Sequence, residues 1–237
     1  MKGNLDPRSK APNAVNLRIR ISSRISAREA IALQKKLSPL IEETSDLPSE
    51  LKYLVGCDAS YLRGTTFAAA TLVDYERLLR LKVATVKEPT RFPYIPGLLA
   101  FREGPAVLRA IRSLRAKAYV CLVDAHGLAH PRRFGLACFV GLALDRPTIG
   151  VAKSLLCGHV RDNQVSDGEG RQIAEIVPLP GRSKVIYVSV GHKISLADAV
   201  RIVRRSLTQR GPIPIALAHE EATKQKWQLR KSNQASS

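Results

Sequence analysis

The heptapeptide AYVCLVD at residues 118–124 decides the fold. Its first six residues, Ala118 to Val123, are apolar without alternation, and the run ends abruptly at Asp124. A strand that does not alternate is one covered on both faces, as in a sheet sandwiched between helices. Two further stretches have this form. KYLVGC at 52–57 runs into Asp58, and TIGVA at 148–152 runs into Lys153.

Helical and hairpin signals surround these strands. Ser26-Ala-Arg-Glu29 has the spacing of a capping box, with Ala30, Leu33 and Leu37 on one face of the helix that follows and Pro39 ending it. TFAAATLVDY at 66–75 and LLRLKVATVK at 78–87, joined by a short polar turn, predict a hairpin. PTRFPYIP at 89–96 holds three prolines and reads as a rigid loop. A helix is expected to open at Glu103-Gly104-Pro105, with Val107, Leu108, Ile111 and Leu114 inward. A Gly- and His-rich loop follows Asp124, then a helix over 136–144. Residues 158–182 are polar and Gly-rich and show no clear period. Lys184–Val190 predicts a strand, and Ser195 with Asp198 starts a last helix through Leu207. The expected fold is α/β, with a mixed central β-sheet, an antiparallel hairpin at its start and helices on both faces. No internal repeat or second-domain break is visible. The expected divisions are a flexible basic arm at 1–20, one catalytic domain at 21–223 and a polar, frayed tail at 224–237.

Composition narrows the function. The chain has 237 residues with 38 Lys and Arg against 20 Asp and Glu, a net charge of +18. Residues 1–20 hold +4 and residues 220–237 hold +2, so +12 belongs to the body between them. A basic body suits a polyanionic partner, and nucleic acid fits better than a membrane because no long basic amphipathic helix stands out. No apolar run approaches the roughly 18 residues that span a bilayer, and Met1–Arg20 has no apolar signal-peptide core. Cys57, Cys121, Cys138 and Cys157 form no C-x-x-C pair and read as free thiols, which points to the cytoplasm.

Asp58 and Asp124 each follow a buried strand, and Glu103 is expected at the mouth of a helix. Chemistry in α/β sheets gathers just outside strand ends. Converging carboxylates repel unless a cation joins them, and a hard divalent ion takes such oxygen ligands. The same residues also serve as plain turn caps and helix starts, so on spacing alone both readings stand. Pro93-Tyr94-Ile95-Pro96 is either a rigid apolar wedge for a base stack or an ordinary loop anchor. His126 and His130, four apart around Gly127, could pair on a metal, but in a basic protein hydrogen bonding to phosphate or base suits them better. Lys153 could meet a phosphate or stay solvated, and His219 reads locally as a surface histidine.

Together, VGCDASY at 55–61, PYIPGLLAFREGP at 93–105, VDAHGLAHPRRFG at 123–135, DRPTIGVAKSLLCG at 145–158 and VGHKISLADAV at 190–200 resemble the endonuclease V family, the deoxyinosine 3′-endonucleases. The resemblance covers roughly residues 25–220. It implies an RNase H-like fold and a DNA-repair endonuclease that recognises deaminated bases. Such an enzyme hydrolyses the second phosphodiester bond 3′ of deoxyinosine, leaving 3′-hydroxyl and 5′-phosphate ends. By the family's pattern Asp58, Glu103, Asp124 and His219 are catalytic. Asp58 and Asp124 would hold Mg²⁺, for which Mn²⁺ could substitute, and Glu103 a second ion or the attacking water. Pro93, Tyr94, Ile95 and Pro96 match the wedge. Gly97, Leu99, Gly127, His130, Gly135 and Ala152 match the lesion pocket, and Lys153 and Arg102 would contact phosphate. The implied partner is single- or double-stranded DNA containing deoxyinosine, met by a monomer with no membrane attachment. The alternatives are an endoribonuclease acting at inosine in RNA, or a catalytically impaired binding protein. Three positions depart from the family pattern: Ala125 stands for a glycine, Phe139 for a histidine, and Ile215-Ala216 for Thr-Arg.

Overall fold

A computed structural model describes residues 25–235, with side chains as far as Arg230; the arm at 1–20 lies outside the described residues. The chain runs α1 (Ala27–Leu37), a 3-10 turn (Ser38–Leu40), β1 (Tyr53–Leu62), β2 (Thr65–Asp74), β3 (Arg80–Pro89) and α2 (Leu99–Ser113). It continues through β4 (Tyr119–Val123), α3 (Leu136–Leu144), β5 (Thr148–Ala152), β6 (His159–Arg161), β7 (Gln164–Ser166) and β8 (Gln172–Pro178). It closes with β9 (Val185–His192), α4 (Leu196–Arg205), β10 (Leu207–Thr208), β11 (Gly211–Pro212) and α5 (Ile213–Ala235).

Local chemistry accounts for several of these boundaries. Ser26 caps α1 by accepting from the Glu29 N–H, and the Glu29 carboxylate accepts in return from the Ser26 N–H at 2.8 Å. Pro39 lies in the tighter 3-10 turn that ends the helix. Ser195 caps α4 by accepting from the Asp198 N–H. α3 and β5 have the bounds that their apolar runs predict.

Among the described residues nine strands form one sheet in the order β3-β2-β1-β4-β5-β9-β8-β7-β6. β1–β4 and β4–β5 are parallel and every other pair is antiparallel. β4 is buried along its whole length, as its unbroken apolar run requires. The hairpin start is β2–β3, with β1 alongside. The segment at 158–182, silent in sequence, supplies three short strands at the far edge of the sheet.

Two expectations are corrected here. Asp58 lies inside β1, not after it. The parallel pairing with β4 stops at Cys57–Val123, but β1 keeps β2 as a partner as far as Leu62–Thr65. Glu103 is not at a helix mouth, because α2 begins at Leu99 and holds Pro105 inside it. Its apolar face starts with Ala100 and Phe101, which place the first turn ahead of the proline.

α5 is the element that the sequence conceals. Its inward residues Ile215, Ala218 and Ala222 are mostly small, and Pro214 interrupts its first turn. The polar stretch from 224, expected to fray, continues this helix to Ala235. α5 lies on β1 and β2. Gly56 of β1 is packed against the Pro214 carbonyl, Thr71 of β2 donates to that carbonyl at 2.8 Å, and Ser60 donates to the Ala222 carbonyl at 2.9 Å. Tyr61, pointing the other way from β1, lies under the Arg102 guanidinium of α2 at 4.2 Å. Alternate residues of a strand point to opposite faces, so α5 and α2 cover opposite faces of the sheet.

A methyl group at position 56 would overlap the Pro214 carbonyl, and backbone cannot move aside as a flexible side chain can. Gly56→Ala is therefore expected to cost roughly 1–3 kcal/mol, the usual range for overpacking. Urea unfolding reads this directly, and an unchanged midpoint and slope would show that α5 is not seated on β1 in this way.

Candidate active site

The end of the β1–β4 pairing builds the acidic centre. Cys57 and Val123 are the last paired residues, so Asp58 and Asp124 occupy the next position on neighbouring parallel chains. From the far side α5 brings His219, whose Nδ1 donates to Asp58 Oδ2 at 2.7 Å. Asp58, Asp124 and His219 each offer one ligand atom, and these atoms all lie within 4.8 Å of one another. Lys153, one residue beyond β5, places its Nζ 2.5 Å from Asp124 Oδ2 while staying largely exposed.

The electrostatics follow from burial and crowding. Asp124 is held above its ordinary value by burial and by the Asp58 charge, with Lys153 and His219 working against the shift. His219 is held above the ordinary imidazole value by its bond to Asp58. Glu103 stands outside the three-residue cluster, in the second turn of α2. Burial, with the charges of Asp58 and Asp124, raises it to about 8. The Tyr61 hydroxyl is buried beside Glu103, and burial, with the Glu103 charge, holds it well above the ordinary phenol value. A set of oxygen donors that repel one another and are relieved only by cations is the donor chemistry that suits a hard divalent ion. Asp58 and Asp124, with Glu103 behind them, fit such an ion.

A cavity of about 270 Å³ adjoins this centre. Gly97, Leu99, His130, Gly135 and Ala152, five of the six expected pocket residues, line it together with Asp124 and Lys153. Gly127 does not. Its Cα is pressed against the Val190 carbonyl, and its N–H is donated to Ser189 Oγ at 2.9 Å. Its role is to let the loop lie on β9. Ala125 also lines the cavity, and its φ is not positive, so the methyl brings no backbone strain.

The Pro93–Pro96 segment stands at the rim with Tyr94 70% exposed. It is fastened at both ends. Before it, the Phe92 ring lies 5.9 Å from Phe101, which lies 6.4 Å from Phe139. Phe139 is thus the last ring of an anchoring row and a core residue. After it, the Gly97 carbonyl accepts from three donors: Gln34 Nε2 at 3.0 Å, His130 Nε2 at 2.9 Å and Arg132 Nη2 at 2.8 Å. Arg132 N–H donates to His130 Nδ1, which leaves the His130 proton on Nε2 for Gly97, and burial pulls His130 down to about 4. Gly97 has φ +78°, so the backbone turns there at a residue that tolerates it.

Arg102 Nη1 donates to the Phe92 carbonyl at 2.8 Å and its half-buried guanidinium lies over the Tyr61 ring, so it fastens the Phe92 end of the Pro93–Pro96 loop. His126 lines the cavity with Nε2 2.8 Å from the Ser154 carbonyl. Gln34 and Arg132 carry no sequence signal of their own, since a glutamine on an amphipathic helix and an arginine in a basic protein are commonplace. Arg132 Nε donates to Gln34 Oε1 at 2.7 Å, so the two act as one clamp.

The family model for endonuclease V matches residues 35–220. The chain is 41% identical to an endonuclease V of Desulfurococcus amylolyticus over 200 residues, covering 80% of this chain and 90% of that protein. Among solved structures, the endonuclease V of Streptomyces avermitilis superposes with a TM-score of 0.80 at 30% identity, over 88% of this chain and 96% of that one. The endonuclease V of Ciona intestinalis, in complex with a 24mer DNA containing an inosine followed by a ribo-adenosine, gives 0.79 at 28% identity, over 85% and 98%. The mixed sheet with a helix on either face is thus the RNase H-like fold of those structures.

The Glu103 shift makes stability depend on pH in the metal-free protein. A carboxyl raised from 4.5 to about 8 keeps its proton in the folded state where the unfolded chain has lost it, so stability falls as pH rises through that window. His219 acts in the same direction, since its raised value gives stability at low pH that is lost as pH rises through it. Only the first effect is removed by Glu103→Gln. Thermal melts in EDTA across this range are expected to converge, with the variant gaining on the wild type as pH rises. Parallel profiles would show that Glu103 is not buried as an acid.

Proposed function

We propose that this chain, which belongs to the endonuclease V family, is a DNA-repair endonuclease that recognises deoxyinosine and hydrolyses the second phosphodiester bond on its 3′ side. The observation that carries the reading is that Asp124 and Lys153 belong at once to the acidic cluster and to the wall of the cavity. A base seated in that cavity has its own strand beside the carboxylates.

Tyr94 and Ile95 would enter the stack that the damaged base leaves. A mispaired base costs less to extrude, which favours deaminated over normal bases. The cavity wall is largely backbone and small side chains, which suits a purine distinguished by one exocyclic oxygen. The clamp on Gly97 and the ring row at Phe92 keep the wedge from yielding when it meets DNA.

Asp58 and Asp124 would hold Mg²⁺, or Mn²⁺ in its place, with Glu103 supporting them. When bound, the ion supplies positive charge at the phosphate and eases deprotonation of the attacking water. Water adds to phosphorus in line, and the bond from phosphorus to the 3′ oxygen breaks, leaving 3′-hydroxyl and 5′-phosphate ends. His219 carries a proton on Nδ1, donated to Asp58, and fixes that carboxylate's orientation. Lys153, largely exposed, would leave Asp124 for the phosphate. Asp58, Glu103 and Asp124 are all in place, which disfavours the impaired-binder reading. The substrate is DNA, single- or double-stranded, met by a monomer. All four cysteines are free, which supports a reducing cytoplasm, and no helix of the described residues is long and apolar enough to cross a membrane.

An end-labelled duplex with one deoxyinosine is expected to be cut at the second bond 3′ of the lesion with Mg²⁺ and left whole in EDTA. Asp124→Asn is expected to lose several kcal/mol of transition-state stabilisation, on the order of 10³-fold in rate, while still binding. A variant as active as wild type would remove the acidic centre from the mechanism. Tyr94→Ala is expected to weaken lesion binding by roughly 1–3 kcal/mol, the worth of one stacked base. Unchanged affinity would remove the wedge.

A further inference from the structure

The acidic centre opens on a second side. A cleft of about 630 Å³ lies between the turn at 179–184, which joins β8 to β9, and the β10–β11 ribbon, with the first turn of α5 as its floor. It shares Asp124, Lys153 and His219 with the acidic centre, and Asp124 and Lys153 also with the base cavity. The two hollows therefore flank the reactive carboxylates, and the second has more than twice the volume of the first.

The cleft has the chemistry of a strand site. Asp124 is the only acid in its wall, against Lys153, Arg182, Lys184 and Arg210. Arg210 is paired with Glu220, but Arg182 and Lys184 are exposed and have no acidic partner among the described residues. Between the cations the wall is apolar, with Leu179 and Tyr187 half-buried in it and Pro212 buried beneath. Alternating cations with an aromatic and aliphatic floor is the pattern by which proteins hold single strands. Phosphates meet the charges, and sugars or bases meet the apolar faces.

Polarity follows from the proposed function, on which this inference rests. The damaged base occupies the smaller cavity, and the bond to be cut lies on its 3′ side. A strand that leaves the cavity and crosses Asp124 is therefore running toward its 3′ end when it reaches the larger cleft. We propose that this cleft is the subsite for the strand 3′ of the cut, with Arg182 and Lys184 on its phosphates and Tyr187 against a base or sugar. Nucleotides beyond the scissile phosphate then add binding energy that the base cavity alone does not supply.

The test uses fluorescent single-stranded deoxyinosine oligonucleotides in EDTA, with a constant 5′ side. The 3′ end lies either directly after the scissile phosphate or several nucleotides further. The wild type is expected to bind the longer probe on the order of tenfold more tightly. In Arg182→Gln/Lys184→Gln that gain disappears while the shorter probe binds as before. The slope of log K against log salt for the longer probe is expected to fall by about 1.4, for two phosphates at roughly 0.7 each on a single strand. Both residues are exposed, and a thermal melt confirms that the variant is folded. No gain with 3′ length, or equal weakening of both probes in the variant, overturns the assignment. Matched deoxyadenosine probes and cleavage with Mg²⁺ separate the two readings. Inosine preference and cleavage without a 3′-length gain sink the cleft alone, whereas no inosine preference and no cut sink the base cavity and, with it, the polarity argued here.

Discussion

The structure depends on two aspartates held side by side against their own repulsion. Parallel pairing of β1 with β4 ends at Cys57–Val123, and the next residue of each chain is an aspartate. Nothing about an isolated strand end would keep two carboxylates there. What keeps them is a sheet whose middle strands are buried on both faces, so that the backbone cannot yield. Proton donors then gather around the pair: His219 on Asp58 and Lys153 on Asp124. Glu103, buried and beside both aspartates, is pushed toward holding its proton, with Tyr61 and Arg102 working against the shift. Charge, not shape, selects what can complete the centre.

A second constraint acts on the Pro93–Pro96 loop. Under the proposed function it would push into stacked bases and could not be loose, yet it has little surface to bury. The solution is to fix both of its ends to elements distant in sequence. Three aromatic rings tie the entry to α2 and α3, and one carbonyl with three donors ties the exit to α1 and to the loop after β4. Gln34 is fully buried and also donates to the Phe134 carbonyl at 2.8 Å, so a polar side chain of α1 joins the two rims of the base cavity.

Much of this was legible in the sequence. The unbroken apolar runs at 118–123 and 148–152 predict β4 and β5, the capping box predicts α1, and the motif series picks out residues that the fold gathers around one cavity. What stayed hidden has physical reasons. Asp58 looked like a strand end because apolarity stops there, but β1 is prolonged by pairing with β2, which hydropathy does not report. Pro105 looked like a helix start, and α2 accommodates it inside. α5 was missed because its buried face is made of alanines and one isoleucine and carries little periodic contrast. His219 could not be placed without α5. The placements of Arg102 and Gly127 are each decided by one tertiary contact, with Phe92 and Val190 respectively, which no local pattern reports.

The seating of α5 has a consequence for synthesis. His219 follows Asp124 by 95 residues, and the face of β1 that carries Gly56, Asp58 and Ser60 has its cover only when α5 is present. A nascent chain on the ribosome therefore holds both aspartates long before it holds the helix that closes them in. Long-range contacts of this kind form late and slowly. A chain emerging in this order completes the Asp58–His219 pair only as its last helix docks.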